Sequence, residues 1–236
     1  MSARVVRAAS GRRSSTRWRH VDSTVLSRAL RLYLIADTSL LDDAALVGAV
    51  AAAIRGGVTI VQLRAKERTT REQIELARAL ASVCRPSVPF VVNDRVDVAL
   101  AAHAAGVHLG HIGEEDMPPE DARLILGPDA IIGVSVARGS EGRDAARRGA
   151  SYLSGGPMYA TRTKPDAGAP VGPALIRELR VATALPVVAI GGIEPPHVAE
   201  LLAAGADGVC VASGILRTAD PEAAARAYMA QLEVAR

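Results

Sequence analysis

The sequence predicts an α/β chain folded as one (β/α)8, or TIM, barrel. Three observations carry this. Eight short runs rich in β-branched residues alternate with eight Ala-rich segments of helical length from residue 32 to residue 234. Each spacing accommodates one strand, one helix and their loops, as a barrel requires. Polar residues able to do chemistry gather at the C-terminal ends of the strand runs, the end at which such barrels bind ligands. An open doubly wound sheet typically uses fewer strands. The runs also differ too much from one another to form a solenoid repeat.

In order, the strand candidates are LYLIAD (32–37), TIVQLR (59–64), PFVVND (89–94), GVHLG (106–110), AIIGVS (130–135), SYLSGGP (151–157), PVVAIGG (186–192) and GVCVASG (208–214). Helices are expected over 43–55, 70–84, 96–105, 118–126, 140–149, 173–183, 195–204 and 221–234. The barrel domain is assigned to 29–236. Residues 1–28 are Arg- and Ser-rich without hydrophobic period and read as a disordered extension. They superficially resemble a transit peptide, and a nucleic-acid-binding arm is an alternative. Six arginines and no acid fall in the first twenty residues; removing them takes the net charge from +3 to −3, so the basicity belongs to the extension.

Composition narrows the partners. Hydrophobic residues make up 49% and aromatics only 3%, too few for a protein that stacks bases, so no nucleic-acid partner is expected for the domain. No apolar run reaches the ~18 residues of a membrane helix, and a soluble, cytoplasmic chain with no membrane partner follows. Cys84 and Cys210 lack metal-ligand spacing and suggest a reducing compartment. Cys210, inside GVCVAS, reads as an inert core thiol. The expected partners are small molecules, and a homo-oligomer is compatible with every feature above.

The second strand continues as TIVQLRAK (59–66). There Gln62, Arg64 and Lys66 share a period of two and project from one face, opposite Val61, Leu63 and Ala65. Two cations and an amide at a strand's C-terminal end are costly to bury unless an anion meets them, which points to a phosphate or diphosphate site. The third strand ends in Asn93 and Asp94, with Arg95 and Asp97 following; either acid could instead cap a helix. The fourth offers His108 and then a loop carrying Glu114, Glu115 and Asp116. Mg²⁺ takes one or two carboxylates together with phosphate oxygens and water, so Asp94 and Asp116 are the candidate ligands. A solvated helix start would equally explain the acidic run.

Ser135 closes the fifth strand as a hydroxyl donor or a turn residue. The sixth runs into GGPMYATRTKPDAGAP (155–170), where Thr161, Thr163 and Lys164 add two hydroxyls and a cation to a long, structureless binding loop. IGGI (190–193) and ASGI (212–215) end the last two strands and match the backbone phosphate cradle of many barrels, here with Gly192 and Ser213. Two anion sites facing each other suggest two phosphorylated substrates joined together. Acid–base chemistry rests on a single interior histidine, His108, and no Ser-His-Asp signature is present.

These motifs, VQLRAK, VVNDRVDVAL, GVHLG with its acidic loop, IGVS, GGPMYATRTKP, AIGGI and VASGI, occur in the order of the thiamine-phosphate synthase family, which the chain resembles over residues 31–236. The resemblance implies a transferase that joins 4-amino-2-methyl-5-hydroxymethylpyrimidine diphosphate to 4-methyl-5-(2-hydroxyethyl)thiazole phosphate, by loss of diphosphate and capture of the resulting cation by the thiazole nitrogen. It implies that Gln62, Arg64, Lys66, Asn93, Ser135 and Lys164 hold the pyrimidine diphosphate, with Arg64, Lys66, Ser135 and Lys164 acting on the leaving group. Thr161, Thr163, Gly192 and Ser213 would bind the thiazole phosphate, and Asp94 and Asp116 would ligate Mg²⁺. The chain departs from the family after GVHLG, where Gln-x-Asp usually follows at once. Ungapped, His111 and Gly113 take those places; with a three-residue insertion, Glu114 and Asp116 do, and DMPPEDARLILG then stays in register. His197 stands where Asn is usual. The alternatives are a thiazole tautomerase-like barrel, against which the cations speak, and a non-catalytic paralogue that binds thiamine phosphate.

Overall fold

The computed structural model describes residues 23–111, 117–161, 163 and 168–234. Eight parallel strands close a barrel in sequence order: β1 (Leu32–Asp37), β2 (Ile60–Arg64), β3 (Phe90–Asn93), β4 (Gly106–His111), β5 (Ile131–Val136), β6 (Tyr152–Gly155), β7 (Val187–Ile190) and β8 (Gly208–Val211). β8 returns to pair with β1 through Leu32–Leu34, so no sheet edge remains among these strands. The expected strands are all present; β1 keeps its expected bounds and the others are trimmed or extended by a few residues at their ends.

The helices form where caps and apolar spacing place them. α2 (Asp43–Arg55) is capped by the Asp42 carboxylate, which accepts from Ala45 N at 2.9 Å. α3 (Thr70–Cys84) opens with a reciprocal Thr69–Glu72 capping box. Both keep the bounds expected from sequence. α4 (Val96–Ala102) stops earlier than expected, because His103 turns into the left-handed conformation and its N–H closes back on Ala99 and Leu100. α5 (Pro119–Leu126), α6 (Gly139–Arg147) and α7 (Ala174–Ala182) follow, then a 3₁₀ turn (Pro195–His197) running into α8 (Val198–Ala203). Ser213 and Gly214, read as the end of the last strand, instead begin the short α9 (Ser213–Leu216), and α10 (Pro221–Val234) comes last.

One boundary needs correction. Residues 23–28, assigned to the disordered extension, form α1 (Ser23–Ala29) together with the first residue of the barrel domain, because Leu26 and Leu30 bury a hydrophobic pair that composition alone disguises. They join a layer inside the barrel made by Tyr33, Ile60, Val91, Ile131, Tyr152, Val188 and Cys210, mostly from the first residues of their strands. α1 therefore closes the N-terminal end. The alternate residues, among them Leu34, Val61, Leu63 and Val92, face outward into the helix-packed shell. Burial pushes the Cys84 thiol up to about 12 and Cys210 higher still, as inert core thiols require. Among the described residues no helix is long and apolar enough to cross a membrane.

Leu30 has no exposed surface. Leu30→Ala is expected to destabilise the chain by about 2–5 kcal/mol, the range for a buried Leu, read as a lower urea midpoint with the slope unchanged.

Candidate active site

Above the apolar layer, the inward positions become polar. Gln62 is buried and Arg64 largely so, while Lys66 lies past the strand end and is half exposed. The anion expected to meet these cations is partly internal. Asp37, at the C-terminal end of β1 and only 2% exposed, accepts from Arg64 Nη1 at 2.7 Å. The register makes this contact direct, since Asp37 and Arg64 are Cα partners across β1 and β2. Lys66 Nζ stands 3.8 Å from Asp94 Oδ2, and Asn93 Nδ2 donates to that same oxygen at 2.5 Å.

Asp94 occupies left-handed backbone, φ 59°, a conformation that Asp tolerates better than most side chains. Its N–H donates to His108 O at 2.8 Å, which ties the end of β3 to β4. β4 itself runs one residue further than expected. Its register against β5 shifts between Leu109 and His111, so the lengthened segment after GVHLG begins with an irregularity at Gly110, beside the cavity. Such irregularities re-aim the chain near functional sites.

On the opposite side, the β6 loop docks on the end of β7 through Met158 N to Ile190 O and Tyr159 N to Gly191 O, at 2.8 and 3.0 Å. Gly191, at φ 97°, permits this approach: a Cβ there would come 2.6 Å from Pro157 Cβ. Tyr159 also stacks on His197 at 3.9 Å between ring centroids, so the imidazole at the unusual position packs rather than reaching the cavity. Thr163 Oγ1 and Ser213 Oγ are 2.9 Å apart, and Thr161 Oγ1 accepts from Thr163 N at 3.2 Å. This joins the loop to α9.

One cavity of about 250 Å³ spans both sides, close to the lower end of the ~300–1,000 Å³ typical of small-molecule sites. Gln62, Arg64, Lys66, Asn93 and Asp94 line one wall, and Thr161, Thr163, Gly192 and Ser213 the other, with Ser135 between. Asp116 and Lys164 lie outside the described residues. Among the described residues no group of three or more His, Cys, Asp or Glu converges. A divalent ion held at Asp94 would draw its other oxygens from outside the described residues, from phosphate and from water, and Mg²⁺ is ordinarily bound by one or two carboxylates with phosphate and water.

Sequence reasoning missed four groups. Asp37 ends β1 and was visible to the same strand-end rule. Tyr33 and Tyr152 read as strand bulk, yet their hydroxyls lie 2.8 Å apart in the barrel interior. Ser154, 3% exposed and lining the cavity, has an Oγ without a partner among the described residues. Buried hydroxyls are rarely left so, and a bound ligand would satisfy it.

A closed barrel with cations on one wall and a glycine-rich cradle on the other defines an enzyme of the phosphate-handling (β/α)8 class. A family model described as "Thiamine monophosphate synthase" matches residues 32–215. Thiamine-phosphate synthases from Xanthobacter autotrophicus and Moorella thermoacetica are 47% and 45% identical over 208 and 196 residues, covering 88% and 83% of this chain and 97% and 92% of theirs. The solved thiamine phosphate pyrophosphorylase of Pyrococcus furiosus superposes with a TM-score of 0.80 at 38% identity, over 89% of this chain and 98% of that one. The chain belongs to the thiamine-phosphate synthase family and is a transferase of that type.

Asp37→Ala leaves the Arg64 guanidinium without its buried acceptor and is expected to cost about 1–3 kcal/mol of stability by chemical denaturation. Ser154→Ala removes an unsatisfied polar atom, so thermal stability without ligand should hold or rise slightly, while affinity for substrate falls.

Proposed function

We propose that this cavity couples 4-amino-2-methyl-5-hydroxymethylpyrimidine diphosphate to 4-methyl-5-(2-hydroxyethyl)thiazole phosphate, yielding thiamine monophosphate and diphosphate, in a cytoplasmic enzyme. The observation that supports the reading is that the cationic and amide side chains of β2 and β3 and the hydroxyls and glycines of the β6 loop, β7 and α9 line one small cavity. Gln62, Arg64, Lys66 and Asn93 on one wall, with Ser135 between the walls, hold the pyrimidine diphosphate, and Lys164 joins them on the family's motif order. On the other Thr161, Thr163, Ser213 and the backbone of Gly192 hold the thiazole phosphate. Ile35, Ile190 and Ile193 add apolar surface to the lining, against which flat rings can pack.

The chemistry asks little of a base. The C–O bond to diphosphate breaks with its electron pair leaving on oxygen, and the thiazole nitrogen's lone pair forms the new C–N bond to the methylene carbon. Charge stabilisation of the leaving group is the main demand. Arg64, Lys66 and Lys164 meet it with fixed positive charge, and Ser135 with a hydroxyl. Asp37 keeps Arg64 from wandering, since the salt bridge fixes one face of the fork and leaves its other donors for the ligand. Asp94 and Asp116 are the residues that would hold Mg²⁺, which when bound supplies further positive charge against the diphosphate oxygens. The apolar lining excludes water that would otherwise trap the cation.

The test is product formation from both phosphorylated precursors with Mg²⁺ and then with EDTA, read by mass spectrometry. Thiamine monophosphate is expected with metal and not with EDTA. Asp94→Asn, which keeps a residue tolerant of left-handed backbone, and Lys164→Ala should each lower the rate by at least about 10²-fold with the circular dichroism unchanged. A folded wild type that binds thiamine phosphate but forms none overturns the reading in favour of a non-catalytic binder.

A further inference from the structure

Beneath the cavity runs a continuous chain of side-chain hydrogen bonds. Gln62 Nε2 donates to Tyr33 Oη at 2.7 Å, Tyr33 Oη meets Tyr152 Oη at 2.8 Å, Tyr152 Oη meets His108 Nδ1 at 2.9 Å, and His108 Nε2 meets Ser135 Oγ at 3.1 Å. Its two ends, Gln62 and Ser135, line the cavity; the two tyrosines do not, and are 1% and 0% exposed. Burial pushes both phenols far up, so both keep their protons. Gly133 makes the chain possible, because a Cβ there would overlap both the Tyr152 ring and the His108 imidazole.

Each phenol has one proton to give, so the direction set at one end propagates. Gln62 donates to Tyr33, which leaves the Tyr33 proton for Tyr152 and the Tyr152 proton for His108 Nδ1. His108 then carries its proton on Nε2 and donates to Ser135, whose own O–H remains to be given away. At the other end Gln62 keeps Oε1 as an acceptor. Reversed, the chain would offer an amide N–H at Gln62 and only lone pairs at Ser135, and a phosphate oxygen, itself an acceptor, finds no partner there.

We propose that Tyr33, Tyr152 and His108 are positioning residues that fix the donor–acceptor polarity of the cavity floor, presenting an acceptor at Gln62 to an amino-bearing ring and a donor at Ser135 to a phosphate oxygen. This goes beyond substrate contact, since Tyr33 and Tyr152 act only through their neighbours. It takes its ligand assignment from the function proposed above, but the hydrogen-bond direction is readable without substrate.

The experiment is long-range ¹⁵N–¹H correlation on ligand-free protein, with the His108 signals identified by their disappearance in His108→Gln. The expected result is one protonated nitrogen, Nε2, and an unprotonated Nδ1. In Tyr152→Phe the fixed tautomer is lost. KM for the pyrimidine diphosphate then rises about three- to tenfold, the worth of one net hydrogen bond, while KM for the thiazole phosphate holds. Tyr33→Phe cuts the chain one link earlier, so the direction set at Gln62 no longer reaches His108: the fixed tautomer should be lost here too, and the Gln62 end weakened, again through the pyrimidine substrate alone. A proton on Nδ1 in the wild type, whether alone or with Nε2, overturns the proposal. So does a Tyr152→Phe variant with wild-type tautomer and KM, or one in which both KM values rise together as the melting temperature falls. Absence of coupling with the expected tautomer would sink the substrate reading and leave the polarity intact.

Discussion

Closure of eight parallel strands is the constraint from which the rest follows. Once β8 pairs with β1, every second side chain on every strand must enter a space of fixed width, and the sequence has only a few layers in which to place them. The lowest is dry, built of Leu30, Ile60, Val91, Ile131 and Val188 with two buried phenol rings. Polar groups can appear only above it, and there each needs a partner, because the barrel wall keeps bulk water away. The chain of hydroxyls, amide and imidazole under the cavity is what that requirement produces.

Charge is handled in the same spirit. Arg64 is tolerable near the interior because Asp37 sits beside it in register, and Lys66 leans toward Asp94 while remaining half in solvent. Neither pair is a stability device of great worth, since one is partly wet and the other costs desolvation. Their effect is to hold cationic groups in place before any ligand arrives, so that little reorganisation is needed when negative charge develops.

Much of this was legible in the sequence. Alternation on β2 announced itself because polar residues interrupt an apolar strand at every second place, and Thr161, Thr163 and Ser213 stood out in a glycine-rich setting. The tyrosines were hidden for a physical reason: aromatic residues are ordinary strand formers, and the meeting of Tyr33 with Tyr152, 119 residues away, exists only through barrel closure. Asp37 was within reach of the strand-end rule but was passed over at the end of an otherwise apolar strand. α1 was lost because Leu26 inside a seven-residue helix and Leu30 just past its end carry too little periodicity, and their burial depends on a barrel floor that no local window contains. Roles for Asp116 and Lys164 rest on motif order alone, because both lie outside the described residues.

The plug made by Leu26 and Leu30 has a consequence for traffic. With its floor sealed by these residues, the cavity is closed off on the α1 side, and the loop carrying Thr161 and Thr163 lines it at the other end. Under the function proposed above, substrates would enter and products leave at the end of the barrel that α1 does not cover.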